Sequence, residues 1–261
     1  MKKVSVVLVF MFLTFGLFAR DANVLPMGTG RLSVMPGYSF ATGEYDDLRN
    51  LDRFDEVSMR FFGLGFGLEY GVLSWITASA QWAPGWIPWS DENAAADDVS
   101  ELFVGVKMQL LGERAPFESG EFRFAAAPGV FIPLTENQEF AIGARFYFDW
   151  LFNRNFFVNL YNETLFFPED ADYSLHFGIG SVFTTPIANG LDFTLGLPAT
   201  YRYLSDRQHS LGISPHVSLF FTDTPLPLEF KFQYDFPLWG MNSTAWHSAS
   251  LQIRFYFAFG R

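Results

Sequence analysis

Long segments in which apolar and polar residues alternate constrain the fold of this chain most strongly. The segment 190–203 has leucine, phenylalanine, alanine or tyrosine at every second position, with mostly polar or small residues between them. Segments 227–237 and 247–259 repeat the pattern. A period of two residues is that of a β-strand, whose successive side chains point to opposite faces of the sheet. The chain is therefore predicted to contain strands with one apolar face.

The same alternation predicts twelve strands along the chain. They are 30–41, 57–71, 74–83, 99–111, 121–132, 139–151, 155–166, 173–185, 190–203, 209–221, 227–237 and 247–259. Most have the length that crosses a membrane, about 9 to 11 residues or more, whereas strands of soluble sheets have about five or six. We therefore predict an all-β fold, a transmembrane antiparallel β-barrel of twelve strands. A soluble sandwich that packs its Phe-rich faces together is the alternative.

The N-terminus has the composition of an export signal. Lys2 and Lys3 precede the apolar run 4–18, and Ala19 offers a small residue for cleavage. We predict a signal peptide at 1–19, a periplasmic or lumen-plugging segment at 20–29 and the barrel at 30–261. The large Leu17 leaves an uncleaved anchor open as an alternative. After residue 18 no uninterrupted apolar run reaches the about 20 residues of a membrane helix.

The predicted connections differ in length and charge. The four connections that follow odd-numbered predicted strands, 42–56, 84–98, 133–138 and 167–172, carry 14 acidic residues and two basic ones, and the first two are the longest connections. Outer-membrane barrels have short periplasmic turns and longer outer loops, so we expect these loops to be extracellular, on a bacterium with two membranes. We interpret the acidic residues as solvated surface facing lipopolysaccharide or an equivalent lipid. They lack the spacing of a calcium-binding loop, and neither a metal nor a cofactor is predicted.

Composition removes several other classes of protein. The chain has no cysteine, which excludes disulfide frameworks and thiolate metal sites. Its formal net charge of -11 argues against a nucleic-acid partner, because phosphates need clustered Lys and Arg.

The polar faces of the strands are predicted to line the lumen. Their charged and tyrosine residues include Lys107, Glu121, Arg123, Arg145, Tyr147, Asp149, Tyr161, Glu163, Asp192, Arg202, Glu229, Lys231 and Arg254. These side chains either pair across a narrow interior or line a water-filled path, where opposed charges orient solutes. The candidate constriction is the patch formed by Arg145, Tyr147 and Asp149 with Tyr161 and Glu163 on the next strand, next to Glu121 and Arg123.

One spacing raises the question of an enzyme. His216 and Ser218 form an H-x-S pair, a spacing found in some outer-membrane lipid hydrolases. Alternation places both side chains inside the barrel, away from lipid, whereas a lipid hydrolase needs its nucleophile and base near the substrate. We therefore predict that the protein is not an enzyme.

The last strand suggests how the chain reaches its membrane. Leu251, Ile253, Phe255, Phe257 and Phe259 resemble the C-terminal signal that the outer-membrane barrel-assembly machinery recognises. Gly260 and Arg261 follow the final aromatic residue, where that signal normally ends. The assembly machinery is therefore a predicted partner.

Short motifs in the first half resemble a known family. The stretch 23–30 reads NVLPMGTG and leads into a strand with Gly37 and Tyr38; EYGVL follows at 69–73, GVKMQLL at 105–111 and GVFIP at 129–133. These are similar to outer-membrane transporters of the phenol-degradation meta-pathway, distant relatives of FadL-like fatty-acid transporters. The resemblance implies uptake of small hydrophobic or aromatic molecules, with the N-terminal segment folded into the lumen. Its candidate plug residues are Asn23, Leu25, Pro26 and Gly28; a disordered tail is the alternative.

The sequence thus predicts a passive outer-membrane channel or transporter for small solutes. A structural or adhesive barrel, with acidic loops and no open pore, needs the same wall and stays open as the alternative.

Overall fold

The computed structural model describes residues 22–54, 60–86, 99–112, 121–135, 139–205 and 207–258. The predicted signal peptide, residues 20 and 21, most of the loop 84–98 and the terminal residues 259–261 lie outside the described residues. Within these ranges there is no helix that is long and apolar enough to cross a membrane.

The described residues form fourteen strands. They are β1 (Thr29–Tyr45), β2 (Leu51–Arg53), β3 (Arg60–Leu73), β4 (Ile76–Trp86), β5 (Val99–Leu111), β6 (Phe122–Pro133), β7 (Ala141–Asn153), β8 (Phe156–Phe167), β9 (Asp172–Ala188), β10 (Leu191–Leu204), β11 (Gln208–Ile213), β12 (His216–Phe221), β13 (Leu228–Met241) and β14 (Ser243–Ala258).

These strands close into one antiparallel barrel. Each wall strand pairs with its neighbours in the chain, and β1 pairs with β14 from Thr29↔Ala258 to Tyr45↔Ser243, which closes the ring. The short β2 folds back on the end of β1, while β11 and β12 are two parts of one wall strand between β10 and β13. The wall therefore has twelve strands, and the predicted fold class is confirmed.

A proline explains why one wall strand is split. Pro215 has no N–H to donate to the ladder, so regular pairing stops there. The chain is still tied to both neighbours, because Ser214 N donates to Pro198 O at 2.8 Å and Pro215 O accepts from Tyr234 N at 3.0 Å. The interruption lies within the wall, between Ile213 and His216.

The two ends of the barrel differ. At the turn end, where both termini of the barrel lie, residues 74–75, 154–155 and 189–190 connect strands directly. The opposite end, which we call the loop end, carries the connections after β1, β4, β6 and β8. Several strands run further toward the loop end than predicted: β1 reaches Tyr45, and β13 passes Pro237 to reach Met241. Pro237 is tolerated because the ladder shifts register beside it, between Leu211 and Gly212.

The faces of the wall are inverted relative to a soluble protein. Large apolar side chains such as Leu68, Ile179 and Leu197 are half exposed on the outside, as a lipid-facing band requires. Polar and charged side chains are buried inside. Among the tryptophans near the loop end, Trp82 faces outward at 43% exposure, whereas Trp246 is 7% exposed and lines an internal cavity.

Candidate functional site: the lumen

One side of the lumen, along β4 to β8, is filled by side chains. At its centre Arg145 Nε donates to Glu163 Oε2 at 2.5 Å, and Arg145 Nη1 donates across the lumen to Gln81 Oε1 at 3.2 Å. The Arg145 guanidinium also lies 4.2 Å from the centre of the Phe103 ring. Glu101, 1% exposed, lies within electrostatic reach of both Arg145 and Glu163. Arg145 therefore joins Glu163 on β8 to Gln81 on β4.

Toward the loop end this charged layer is covered by an apolar one. The members of the apolar cluster are Ala83, Phe103, Phe131, Ala141, Leu165 and Phe167, against which Leu204 packs. The Phe103 and Phe131 rings lie 4.8 Å apart. These side chains separate the Arg145–Glu163 pair from the loop end on this side of the barrel.

Toward the turn end the charged layer rests on two tyrosines. The Tyr147 and Tyr161 rings lie 5.4 Å apart, Lys107 Nζ is 4.4 Å from the Tyr147 ring, and Tyr161 Oη donates to Glu163 Oε2 at 3.0 Å. Below them, Asn159 Nδ2 donates to Asp149 Oδ1 at 2.5 Å. The structure thus brings together the residues of the predicted patch on β7 and β8.

Arg123 and Glu121 complete this side. Arg123 is fully buried, with its Nη2 3.5 Å from Glu121 Oε2. Its Nη1 donates to Asn23 Oδ1 at 2.5 Å. The arginine therefore connects the wall to the N-terminal segment.

The described N-terminal segment, residues 22–28, enters the barrel from the turn end: residues 22–25 are buried or half-buried, and Pro26 and Met27 are exposed. Ala22 N donates to Asp149 Oδ2 and Leu25 N donates to Thr77 Oγ1, each at 2.8 Å. Ala22 is completely buried in a cluster with Ala125, Ala127, Tyr147 and Tyr161. The segment therefore covers the filled side of the lumen up to the tyrosine layer.

A glycine of the wall permits this close approach. Gly28 N donates to Gly71 O at 2.9 Å. A Cβ atom placed on Gly71 would lie 2.2 Å from Pro26 O and 2.6 Å from Leu25 O. Any side chain at position 71 would collide with the backbone of the segment.

The other side of the lumen, along β9 to β14, encloses open volume. A cavity of about 310 Å³ extends from the turn end, and its wall includes the predicted lumen residues Asp192, Glu229, Lys231 and Arg254. Arg31, Asn23, Asn159 and Tyr256 also line it. Arg254 Nη1 and Tyr256 Oη each donate to Glu229 Oε2 at 2.9 Å, and Arg31 pairs with Glu69. Arg254 and Arg31 are thus paired along the wall and leave the cavity between them open.

A second, smaller cavity of about 80 Å³ lies nearer the loop end. Arg202, another predicted lumen residue, lines it with Asp235 and Ser214. Gln233 lines the first cavity, and its Nε2 donates to Asp235 Oδ1 at 2.9 Å. The Gln233–Asp235 pair therefore separates the two cavities. Sequence reasoning did not single out Gln233, Gln81 or Thr77, because an uncharged polar residue on a lumen face carries no distinctive signal.

The H-x-S pair lines the first cavity. His216 and Ser218 occupy neighbouring inward positions of β12, opposite Gln233 and Lys231 on β13. Both side chains face the interior and not lipid. Within the ranges that the structure describes, no three His, Asp or Glu side chains are grouped as metal ligands.

Two carboxyl groups at the loop end have shifted pKa values of opposite sign. Partial burial raises the pKa of Glu139, and the neighbouring Asp170, Glu169 and Asp172 raise it further by repulsion. The pKa of Asp46 is lowered, first by the hydrogen bond from the Asn50 side chain.

These shifts predict opposite effects of two substitutions. The folded barrel binds the Glu139 proton more tightly than the unfolded chain, so this stabilisation is present in acid and is lost as the pH rises through the raised pKa. Glu139→Gln should therefore raise the free energy of unfolding at pH 7 and leave it unchanged below the ordinary Glu pKa, about 4. Urea unfolding at a series of pH values measures this.

Asp46→Asn is the matched control. Its stabilisation is present at neutral pH and is lost as the pH falls through the lowered pKa, so this variant should be less stable at pH 7 and unchanged in strong acid. The same sign for both variants at pH 7 would contradict the assignment.

Several solved structures have a similar fold. The chain is similar to an outer-membrane channel from Pseudomonas putida F1, at 12% identity and a TM-score of 0.64, over 92% of this chain and 100% of that one. The fold is that of an outer-membrane β-barrel. The NanC porin matches at 11% identity and a TM-score of 0.50, over 86% of this chain and 98% of the porin.

A third similar structure is an autotransporter domain. It is the β domain of the Bordetella autotransporter BrkA, at 13% identity and a TM-score of 0.50, over 88% of this chain and 100% of that domain. No family model matches the chain, and no curated protein matches it. Since barrels described as channel, porin and autotransporter domain all share this fold, function must be argued from the lumen.

Proposed function

We propose that the protein is an outer-membrane channel through which small solutes diffuse passively along the β9–β14 side of the lumen. The observation that carries the proposal is the cavity of about 310 Å³, which lies beside paired charges at the centre of a closed barrel. No chemistry is required of the wall, and the inward His216 and Ser218 act as polar lining. The similar folds of a channel and a porin support this role.

The path we propose is off-centre. Solute crosses the large cavity, passes the Gln233–Asp235 pair, and continues through the smaller cavity lined by Arg202. The filled side, with the Arg145–Glu163 pair, shapes the path but does not carry it. Paired lumen charges of both signs favour weak selection between anions and cations.

The N-terminal segment acts in this proposal as a plug. Residues 22–28 lie against the lumen wall through Asp149, Arg123, Thr77 and Gly71, and Asn23 forms part of the cavity lining. The motif resemblance to phenol-degradation and FadL-like transporters supports small hydrophobic or aromatic molecules as solutes.

Localisation and assembly complete the proposal. The apolar outer band supports insertion in the outer membrane of a diderm bacterium, with the loop end and its acidic connections facing outward. The alternating residues of β14 up to Ala258 support recognition by the barrel-assembly machinery.

A closed structural barrel is the second candidate. The observation in its favour is that the side from β4 to β8 is packed by buried pairs and by the N-terminal segment. In that case neither cavity would conduct.

Filling the large cavity separates these candidates. Ser218→Trp places an indole in the cavity, so we expect loss of most of the single-channel conductance in planar bilayers. Val217→Trp is the matched control, because residue 217 is the outward neighbour on the same strand and is 40% exposed. Equal conductance of the two variants would contradict the proposed path.

A further inference from the structure

The exposed arginines at the loop end of the barrel are distributed unevenly around its outer face. Within the described ranges, its exposed arginines all lie on one side: Arg49 and Arg53 in the β1–β2 hairpin, Arg60 at the start of β3, and Arg207 between β10 and β11. The arginine side also carries the exposed carboxylates Glu44, Asp46, Asp47 and Asp52, whereas the opposite side, on β4 to β9, has Glu139, Glu169, Asp170 and Asp172 and neither lysine nor arginine at its described loop end. Cation is therefore concentrated over about half of the rim.

On the arginine side, basic and aromatic side chains alternate around the wall. Arg60 is paired in register with Phe40, which stacks on His247 at 5.2 Å. Arg49, in the connection between β1 and β2, lies 5.1 Å from the ring of Trp239 on β13. His209 Nδ1 and Tyr201 Oη share a hydrogen bond of 2.6 Å, and the His209 and Tyr203 ring centres lie 5.0 Å apart.

The last member, Arg207, lies within electrostatic reach of Tyr203. Arg207 and Arg49 both have left-handed backbones, with φ of 66° and 71°, a conformation that is costly for arginine and is often kept at ligand-binding positions. We call Arg49, Arg60, Arg207, His209, His247 and the aromatic rings between them the arginine rim.

With the loop end facing outward in an outer membrane, the rim lies where acyl chains meet polar headgroups. Tyrosine and tryptophan suit this boundary because one end is apolar and the other hydrogen-bonds. Arginine adds a planar fork of donors that matches phosphate oxygens in pairs. A belt of apolar rings with forks above it thus complements a lipid that carries phosphate directly above its acyl chains.

One acidic residue of the same hairpin is directed away from the arginines. Asp46 accepts hydrogen bonds from Asn50 N at 2.7 Å and from Asn50 Nδ2 at 3.0 Å. That carboxylate is directed into its own turn. Arg49, which directly precedes Asn50, instead extends over the Trp239 ring on the barrel wall.

We propose that the arginine rim binds the phosphate groups of an outer-leaflet glycolipid. The inference rests on the proposed function, because it requires the loop end to face outward in an outer membrane. It goes further by assigning one side of the barrel to a specific anionic lipid, and leaves the acidic side, β4 to β9, without one.

Native mass spectrometry of the detergent-solubilised chain from residue 20 tests this directly. The probes are a hexa-acylated diglucosamine lipid with two phosphates and the same lipid without phosphate. We expect the unchanged chain to retain the phosphorylated lipid preferentially. Each arginine removed should lower this preference by about fivefold, so the triple variant Arg49→Gln, Arg60→Gln and Arg207→Gln should lose most of it. Arg154→Gln, at the turn end, is the matched control and should keep the preference.

Equal retention of the two lipids by the unchanged chain would overturn the inference, as would an unchanged preference in the triple variant. A dimer that depends on the three arginines, with no lipid preference, would assign the rim to a second copy instead. Conductance of the same samples separates the two proposals: conductance without lipid preference sinks only the rim, and lipid preference without conductance sinks only the channel.

Discussion

Replacing Arg145 with glutamine is expected to lower the free energy of unfolding by about 3 to 5 kcal/mol. Arg145 is the cation paired with Glu163, at 2.5 Å. Without it, the Glu163 carboxylate, which is 1% exposed, remains buried without its cation. The loss is large because the partner stays buried when the cation is removed, whatever the net contribution of the intact pair.

Arg254→Gln provides the comparison for this prediction. Arg254 also pairs with a carboxylate, Glu229, but that side chain lines the open cavity and keeps a hydrogen bond from Tyr256 Oη. We expect a smaller loss, because water reaches Glu229. Urea unfolding in lipid vesicles, followed by tryptophan fluorescence, measures both variants. Equal losses would show that the filled side is not drier than the open side.

Displacing the N-terminal segment in the full chain is expected to raise single-channel conductance strongly. Gly71→Val does this without deleting a residue, because a side chain at position 71 collides with the carbonyl oxygens of Leu25 and Pro26. The segment would lose the hydrogen bond between Gly28 N and Gly71 O and would be displaced from the lumen. Planar-bilayer recording of the two chains measures the change.

Gly37→Ala is the matched control for that substitution. Gly37 is another glycine of the barrel wall, but a Cβ there lies 3.6 Å or more from its neighbours, which is ordinary contact. Its conductance should equal that of the unchanged chain. An unchanged conductance in Gly71→Val, with the barrel folded, would mean that the segment does not limit flow.

The strands were predictable from the sequence because a membrane barrel imposes one local rule on every wall position. Outward positions meet lipid and inward positions meet water or polar groups, so alternation reveals each strand without knowledge of its partners. The strand ends were less predictable. The alternation predicts that a strand ends at Pro237, yet β13 continues to Met241 because a register shift accommodates the proline.

The lumen was predictable only in part. Alternation correctly indicated that Arg145, Glu163 and Asp149 share one face, and the register places them together. Which side of the lumen is open depends on side-chain volumes summed across non-adjacent strands, such as Arg145 on β7 reaching Gln81 on β4. No local pattern records that sum. The role of Gly71 is equally hidden, since it depends on a contact with a segment about 45 residues away.

The most direct test of the proposed channel is single-channel conductance of the chain from residue 20, with and without residues 20–28, in planar bilayers. Thr29 begins β1, so this deletion leaves every wall strand whole. We predict discrete conductance that increases when the segment is removed, because the cavity then opens along the filled side. No conductance in either form, from barrels shown to be folded, would contradict the account and favour a closed structural barrel.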